Sequence, residues 1–202
     1  RLQTGLSRFE SWLTHYYLLK IYFGIRFINN YKLAKDMSLY DLQQKIYENK
    51  VHRAFNVIDV GKELILLSEE IGELSDAYIE GDKEEIIDAL GDIMVYALGL
   101  TAMFKLNAIN IINKSPVYKI QPKTILNHIS YLSSAVGKIS KCYKKSNKKL
   151  LPDLDRKEEF KESIGLLLGY CFKAIESIGE NPISVLKNII VNNTIRMHSG
   201  KI

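Results

Sequence analysis

The stretch that decides the fold is Leu67 to Gly99, LSEEIGELSDAYIEGDKEEIIDALGDIMVYALG. Two acidic pairs stand out in it. Glu70 and Glu73 are three apart, and Asp88 and Asp92 four apart, so each pair spans one helical turn and shares a face. Between them Glu80-Gly81-Asp82-Lys83 breaks one helix and starts the next. A link this short makes the two helices antiparallel neighbours, which sets one acidic pair opposite the other. On the first helix Leu67, Ile71, Leu74 and Tyr78 form an apolar arc at 100° per residue. Glu70 falls within the edge of that arc, and Glu73 about 60° further out. On the second, Asp92 runs straight into Ile93-Met94-Val95-Tyr96-Ala97-Leu98, which is apolar on almost every side. Carboxylates at the rim of a core are costly without partners. Two unit charges about 4 Å apart repel by roughly 4 kcal/mol at an effective dielectric near 20. No Lys or Arg lies between Lys62 and Lys83, or between Lys83 and Lys105, to relieve this. An all-oxygen donor set of this kind suits Mg²⁺ or Mn²⁺.

Working outward, the chain of 202 residues is 47% hydrophobic and has four prolines, which fits an all-α fold of one domain or two small ones. Cys142 and Cys171 both sit in apolar helical patterns; a disulfide framework is not expected, and a reducing cytoplasm fits. The net charge is +5, but it is segregated: the opening stretch is acidic and a later one basic. Residues 1–36 are aromatic-rich, with Trp12, Tyr16, Tyr17, Tyr22, Phe23, Phe27 and Tyr31. Lys20 and Arg26 interrupt them, short of a membrane span, and no signal-peptide pattern is present. Met37-Ser38 looks like a natural start, so 1–36 reads as a non-native or weakly ordered extension.

Ser38, with Asp41 three residues on, is an N-cap for a first helix. Leu39, Leu42, Ile46, Tyr47 and Val51 recur at helical spacing, and Glu48 to Val57 closes the helix. A second helix is predicted over about 59–80, a third over about 83–104 and a short fourth over 107–113. Glu84 and Glu85 are ordinary helix-start acids. Residues 115–123, with two prolines, read as a linker.

The second half repeats the first. Leu67, Ser68, Gly72, Ser75 and Tyr78 align with Leu132, Ser133, Gly137, Ser140 and Tyr143, and Lys83, Glu84, Glu85, Gly91 and Tyr96 recur as Lys157, Glu158, Glu159, Gly165 and Tyr170. The acids do not recur: Glu69 becomes Ser134, Glu70 Ala135, Glu73 Lys138 and Asp92 Leu166, while Asp88 keeps only Glu162. Cys142 and Cys171 replace Ala77 and Ala97 and read as core fillers. Lys138, Lys141, Lys144, Lys145, Lys148 and Lys149 make the second copy basic. Most of them form a solvated face; Lys138, in the place of Glu73, is the one expected to face the cleft. Residues 180–202 read as Asn-Pro helix initiation, an apolar stripe and a basic end.

SEEIGELSDAYIEGDKEEIIDALGDI resembles the MazG-type all-α NTP pyrophosphohydrolases, whose relatives include dimeric dUTPases, dCTP pyrophosphatases and phosphoribosyl-ATP pyrophosphohydrolase. The family pattern is EExxE on one helix and an acid followed by xxD on the next. Glu69, Glu70 and Glu73 complete the first part. The second departs, because Ala89 stands where many members have Glu, and Asp88 offers the carboxylate one position earlier. The resemblance implies a helical bundle of two tandem repeats, a pseudo-dimer in one chain: the metal-binding repeat over 37–114, the linker over 115–123 and a degenerate repeat over 124–202. It implies Mg²⁺-dependent hydrolysis of a nucleoside triphosphate to the monophosphate and pyrophosphate, a nucleotide-pool activity. Glu70, Glu73, Asp88 and Asp92 would bind the metal, and Glu69 or Glu70 would activate water. Asn49, Arg53 and Phe55, from the helix before EExxE, together with Lys138, Asn193 and Arg196, are the candidate substrate ligands. Read on pattern alone, Phe55 favours the core and Arg53 solvent. The expected partner is the nucleotide, without membrane, in a monomeric pseudo-dimer or a homodimer. The alternatives are a non-catalytic helical module of the same fold, or nucleic-acid binding through the lysine run.

Overall fold

The computed structural model describes residues 37–119, 124–146 and 157–198; of 118–119, 157 and 194–198 only the backbone is described. Residues 1–36 form a separate unit from 37–202. The extension predicted at 1–36, and Lys148 and Lys149, lie outside the described residues.

Among the described residues there are seven α-helices and no strand: α1 (Leu39–His52), α2 (Val60–Glu80), α3 (Lys83–Met103), α4 (Ala108–Lys114), α5 (Ile125–Lys145), α6 (Lys157–Ser177) and α7 (Pro182–His198), with a 3₁₀ turn at Pro116–Lys119. The all-α expectation holds, and the helix ends follow local chemistry. Ser38 and Asp41 make a reciprocal capping box. Asp59 caps α2 through the amides of Gly61 and Lys62, and Asp82 caps α3 through those of Glu84 and Glu85. Gly81, at φ 75°, ends α2 in the left-handed conformation that glycine adopts without a Cβ penalty. The first helix is shorter than predicted. It stops at His52, and Ala54 at φ 55° turns the chain away. The Asn56 side chain then accepts from the amide of Asp59 at 2.9 Å and sets up the start of α2.

The core is a four-helix arrangement of α2, α3, α5 and α6. Helix α2 packs on α3 and α5, and α6 packs on α3 and α5. Helix α3 is the centre, touched also by α1 and α7. Its Leu90, Ile93, Met94, Ala97, Leu98 and Leu100 are fully buried. It is long and apolar enough to cross a membrane by composition, but two-thirds of that window is buried within the fold. Its glycines let neighbours close in: a Cβ on Gly91 would meet Ile189 Cδ1 of α7 at 2.0 Å. Gly165 does the same for α6, where a Cβ would sit 2.6 Å from Ile111 Cγ2 of α4. Gln43, buried on α1, donates to the Leu106 carbonyl at 2.8 Å and accepts from the Ala108 amide at 3.0 Å, so α1 is tied to the α3–α4 turn. The segment predicted as a linker is in part packed structure. Val117 of the 3₁₀ turn is buried against Gly169 of α6, because an apolar side chain beside a glycine finds burial cheaply. Cys142 and Cys171 are both buried and free, as core fillers should be.

Candidate active site

Helices α2 and α3 run antiparallel from the Gly81 turn, and this alone sets the acids. On α2 the buried stripe passes through Val60, Glu63, Leu64, Leu67 and Leu74. Glu70 lies at its edge and is half-buried, and Glu73, further round, is exposed. On α3, Asp92 is half-buried and Asp88 exposed. Tyr78, expected to be apolar core, is instead 38% exposed, because it lies on the far rim of the arc.

Glu70 carries the electrostatic strain of this cluster. Its Oε2 is buried and has no hydrogen-bond partner among the described residues. Its pKa is pushed up to about 8, first by burial, then by the negative charges of Asp92, Glu73, Glu69 and Asp88 in that order. Every predicted acid of the site therefore acts on one oxygen-bearing group. Among the described residues no three acid, imidazole or thiol side chains converge into a ready-made cation cage. The carboxylates surround Glu70 without meeting at one point, as like charges do.

Glu70 and Asp92 open into a cavity of about 460 Å³ between α1, α2, α3 and α7. The cavity collects most of the predicted substrate ligands: Asn49, Arg53, Phe55 and Asn193 all line it. Phe55 is 43% exposed, against the expectation of a core position. It follows the end of α1, where the chain has already turned off the bundle. The Arg53 guanidinium stacks over its ring at 4.3 Å, so Arg53 is not a freely solvated side chain either. Lys138, expected to face the cleft, is exposed and is not among the residues that line the cavity. The buried face of α5 runs through Ile129, Leu132, Ala135, Val136 and Ile139, and Lys138 lies off that arc. The Arg196 side chain lies outside the described residues. Glu69, Glu73 and Asp88 are exposed beside the cavity rather than in its wall.

Sequence reasoning missed the other end of this cavity. Lys50, at 6% exposure, donates to Glu63, at 0%, in a buried ion pair. Asn56 Nδ2 donates to the second Glu63 oxygen at 2.9 Å. The Lys50 ammonium also stands 4.9 Å from the centroid of the Tyr96 ring. The Tyr96 hydroxyl has its pKa pushed up to about 12, by burial first and then by Glu70, Glu63, Asp92 and Glu69. A signal was present: Lys50 follows Leu42 and Ile46 at four-residue spacing, and Glu63 precedes Leu67 by four. Opposite charges on two core stripes imply each other.

The comparisons bear on the same residues. Residues 39–114 match the family model described as phosphoribosyl-ATP pyrophosphohydrolase. An uncharacterized protein of Acanthamoeba polyphaga mimivirus is 37% identical over 79 residues, which is 39% of this chain and 28% of that protein. The chain thus spans less than a third of the curated relative it matches. No solved structure matches it. Helices α1 to α4, which carry all four paired carboxylates, are the segment that matches the phosphoribosyl-ATP pyrophosphohydrolase family model, a MazG-like all-α family.

Proposed function

We propose that the protein is a Mg²⁺-dependent nucleoside triphosphate pyrophosphohydrolase. The reaction adds water across the bond between the α and β phosphates and yields the monophosphate and pyrophosphate. One observation carries the reading: a buried, unpartnered Glu70 oxygen, surrounded by four other carboxylates, at the mouth of a cavity that holds Arg53, Phe55, Asn49 and Asn193.

The donor set fits the metal. The orphaned Glu70 oxygen and the charges that raise its pKa are relieved by a hard divalent cation, and all available donors are carboxylate oxygens. Glu70, Glu73, Asp88 and Asp92, on adjacent turns of α2 and α3, would hold it. Bound there, Mg²⁺ supplies neutralisation of the triphosphate oxygens. The chain's own groups do the rest. Glu69, exposed and adjacent to Glu70 on α2, would orient the attacking water and accept its proton. Lys62, at the exposed rim, and Arg53 bring positive charge to the cavity. Phe55 offers an aromatic face to a base. Tyr96 stays protonated at neutral pH and keeps the wall between the two ends of the cavity uncharged.

Within this reading the second half is a degenerate copy of the first. Aligned positions share burial: Leu67 with Leu132, Leu74 with Ile139, Leu90 with Ile164, Ile93 with Leu167 and Ala97 with Cys171 are all in the core. Its role is to cover α2 and α3.

The test is a screen of the common NTPs and dNTPs for Mg²⁺-dependent pyrophosphate release, with Asp92→Asn as control. Release from at least one nucleotide, lost in the variant, supports the reading. No release from any nucleotide, or release untouched by Asp92→Asn, overturns it.

A further inference from the structure

We propose that Lys50 is a base-selecting residue, and that the cavity takes nucleotides whose base carries an oxo group, at the 4 position of a pyrimidine or the 6 position of a purine, over their amino counterparts. This rests on the nucleotide reading of the cavity and deepens it.

The position comes first. Glu63 precedes Glu70 by seven residues on α2, and Tyr96 follows Asp92 by four on α3. The helix rise puts the Lys50 end of the cavity roughly 6–10 Å from the carboxylates. With phosphates at the acidic end, the base of the same nucleotide lies toward Lys50. The chemistry follows from what is already satisfied. Glu63 neutralises the Lys50 charge, and the pair is buried, so this ammonium is not a phosphate anchor. It is a held donor. An ammonium has three N–H groups and no acceptor. One is given to Glu63 and the Tyr96 ring flanks another side. The remaining donor capacity faces whatever fills the cavity that Lys50 lines.

Each Glu63 oxygen already accepts one hydrogen bond, from Lys50 and from Asn56. Gly99 of α3 leaves the room the ammonium needs; a Cβ there would lie 3.1 Å from Nζ. Asn49 and Asn193 also line the cavity, but a carboxamide can turn either edge to a ligand and does not discriminate. Lys50 cannot turn. A base oxo group accepts from it. A base amino group would set donor against donor beside a lysine that is only 6% exposed, and a site built to hydrogen-bond one partner rejects such an analogue strongly.

A purely structural Lys50 would give no base dependence, which makes the two readings separable. Binding of dUMP against dCMP, and of dIMP against dAMP, is measured by calorimetry without divalent cation, beside hydrolysis of the matching triphosphates with Mg²⁺. The wild-type protein should bind the oxo member of each pair at least about tenfold more tightly. Lys50→Met should bring both ratios to within about threefold. Because Lys50→Met leaves Glu63 buried without its partner, Lys50→Met/Glu63→Gln is measured as well; it removes both charges and keeps an acceptor for Asn56. Equal binding of each pair by the wild type, preference for the amino member, no binding of any monophosphate, or a ratio preserved in the double variant each overturns the proposal. Selective binding without hydrolysis would sink the pyrophosphohydrolase reading and leave this one standing. Hydrolysis without base discrimination would do the reverse.

Discussion

Replacing Glu70 by Gln should make the protein more stable above neutral pH in the absence of divalent cation. The carboxyl pKa rises from its ordinary 4.5 to about 8 in the fold. The folded state therefore holds a proton that the unfolded state has released, between those two values. Stability falls as pH rises through that window, and the loss is complete above about 8. Taken whole, a rise of this size corresponds to about 5 kcal/mol. Glu70 is only half-buried and its neighbours Glu69, Glu73 and Asp88 are exposed and screened, so about 1–2 kcal/mol is the effect to expect. For a unit of this size that is about 2–8 °C in the melting temperature. The assay is thermal denaturation by circular dichroism from pH 4.5 to 9, in chelator and then in excess Mg²⁺. In chelator the wild type should lose stability across the window and Glu70→Gln should not. In Mg²⁺ the wild type should recover stability, by mass action on the folded state, and the variant should gain less. A variant that melts lower than the wild type at every pH, or follows the same pH slope, would refute the electrostatic account of the site.

Lys50→Ala should cost about 3–5 kcal/mol in urea denaturation, since it strands the fully buried Glu63 charge, whereas removing both partners should cost far less. Gly165→Ala should cost about 1–3 kcal/mol, because its Cβ would press within 3.2 Å of the Ile111 carbonyl as well as the side chain, and Gly72→Ala, with nothing within 4 Å, should gain about 0.5–1 kcal/mol of helix propensity. Asp88→Ala should abolish pyrophosphate release, whereas Glu162→Ala should leave it within a few fold, since Glu162 lines a separate cavity beside Glu158 and Lys161; equal losses would refute the single-site reading. A fragment of residues 37–116 should be poorly folded or self-associated by light scattering and circular dichroism, and a monomeric, cooperatively folding, active fragment would contradict the shared core.

The parts of this molecule that were legible in sequence are those set by contacts within a few residues. The N-caps at Ser38, Asp59 and Asp82 and the left-handed Gly81 are local events, and they fix helices α1 to α3 almost to the residue at most ends. The angular order on α2 predicted that Glu70 would be drawn inward and Glu73 left out. Phe55 and Lys138 were less legible for the complementary reason. Hydrophobicity suggested that Phe55 belongs in a core, but Ala54 had already directed the chain away from one. The alignment of Lys138 with Glu73 suggested a cleft position, but an alignment does not say which flank of α5 a neighbour covers. The Lys50–Glu63 pair required knowing that α1 crosses α2 and α3 at that level. Each half was visible as a charge on a core stripe; that they meet was not.

The match over residues 39–114 and the cavity do not have the same limits, and the difference explains why the chain continues. The acids, Lys50, Glu63 and Phe55 all come from the matched segment. Ile190 and Asn193, which close the cavity, come from α7. Helix α7 reaches that position because Val185 and Ile189 pack where Gly91 of α3 leaves no side chain. The ion pair of Lys83 with Glu180 ties the start of α3 to the approach of α7, but an exposed pair adds little. The seating of α7 on α3 is therefore mainly a matter of apolar fit, and that fit needs α3 held in place by α6 on its other side. Residues 124–198 thus contribute to the site in two steps: α5 and α6 cover the apolar faces of α2 and α3, and on the framework so fixed α7 brings an asparagine to the cavity. A site whose charges come from one half and whose enclosure comes from the other depends on both, even though only one half carries the clustered carboxylates.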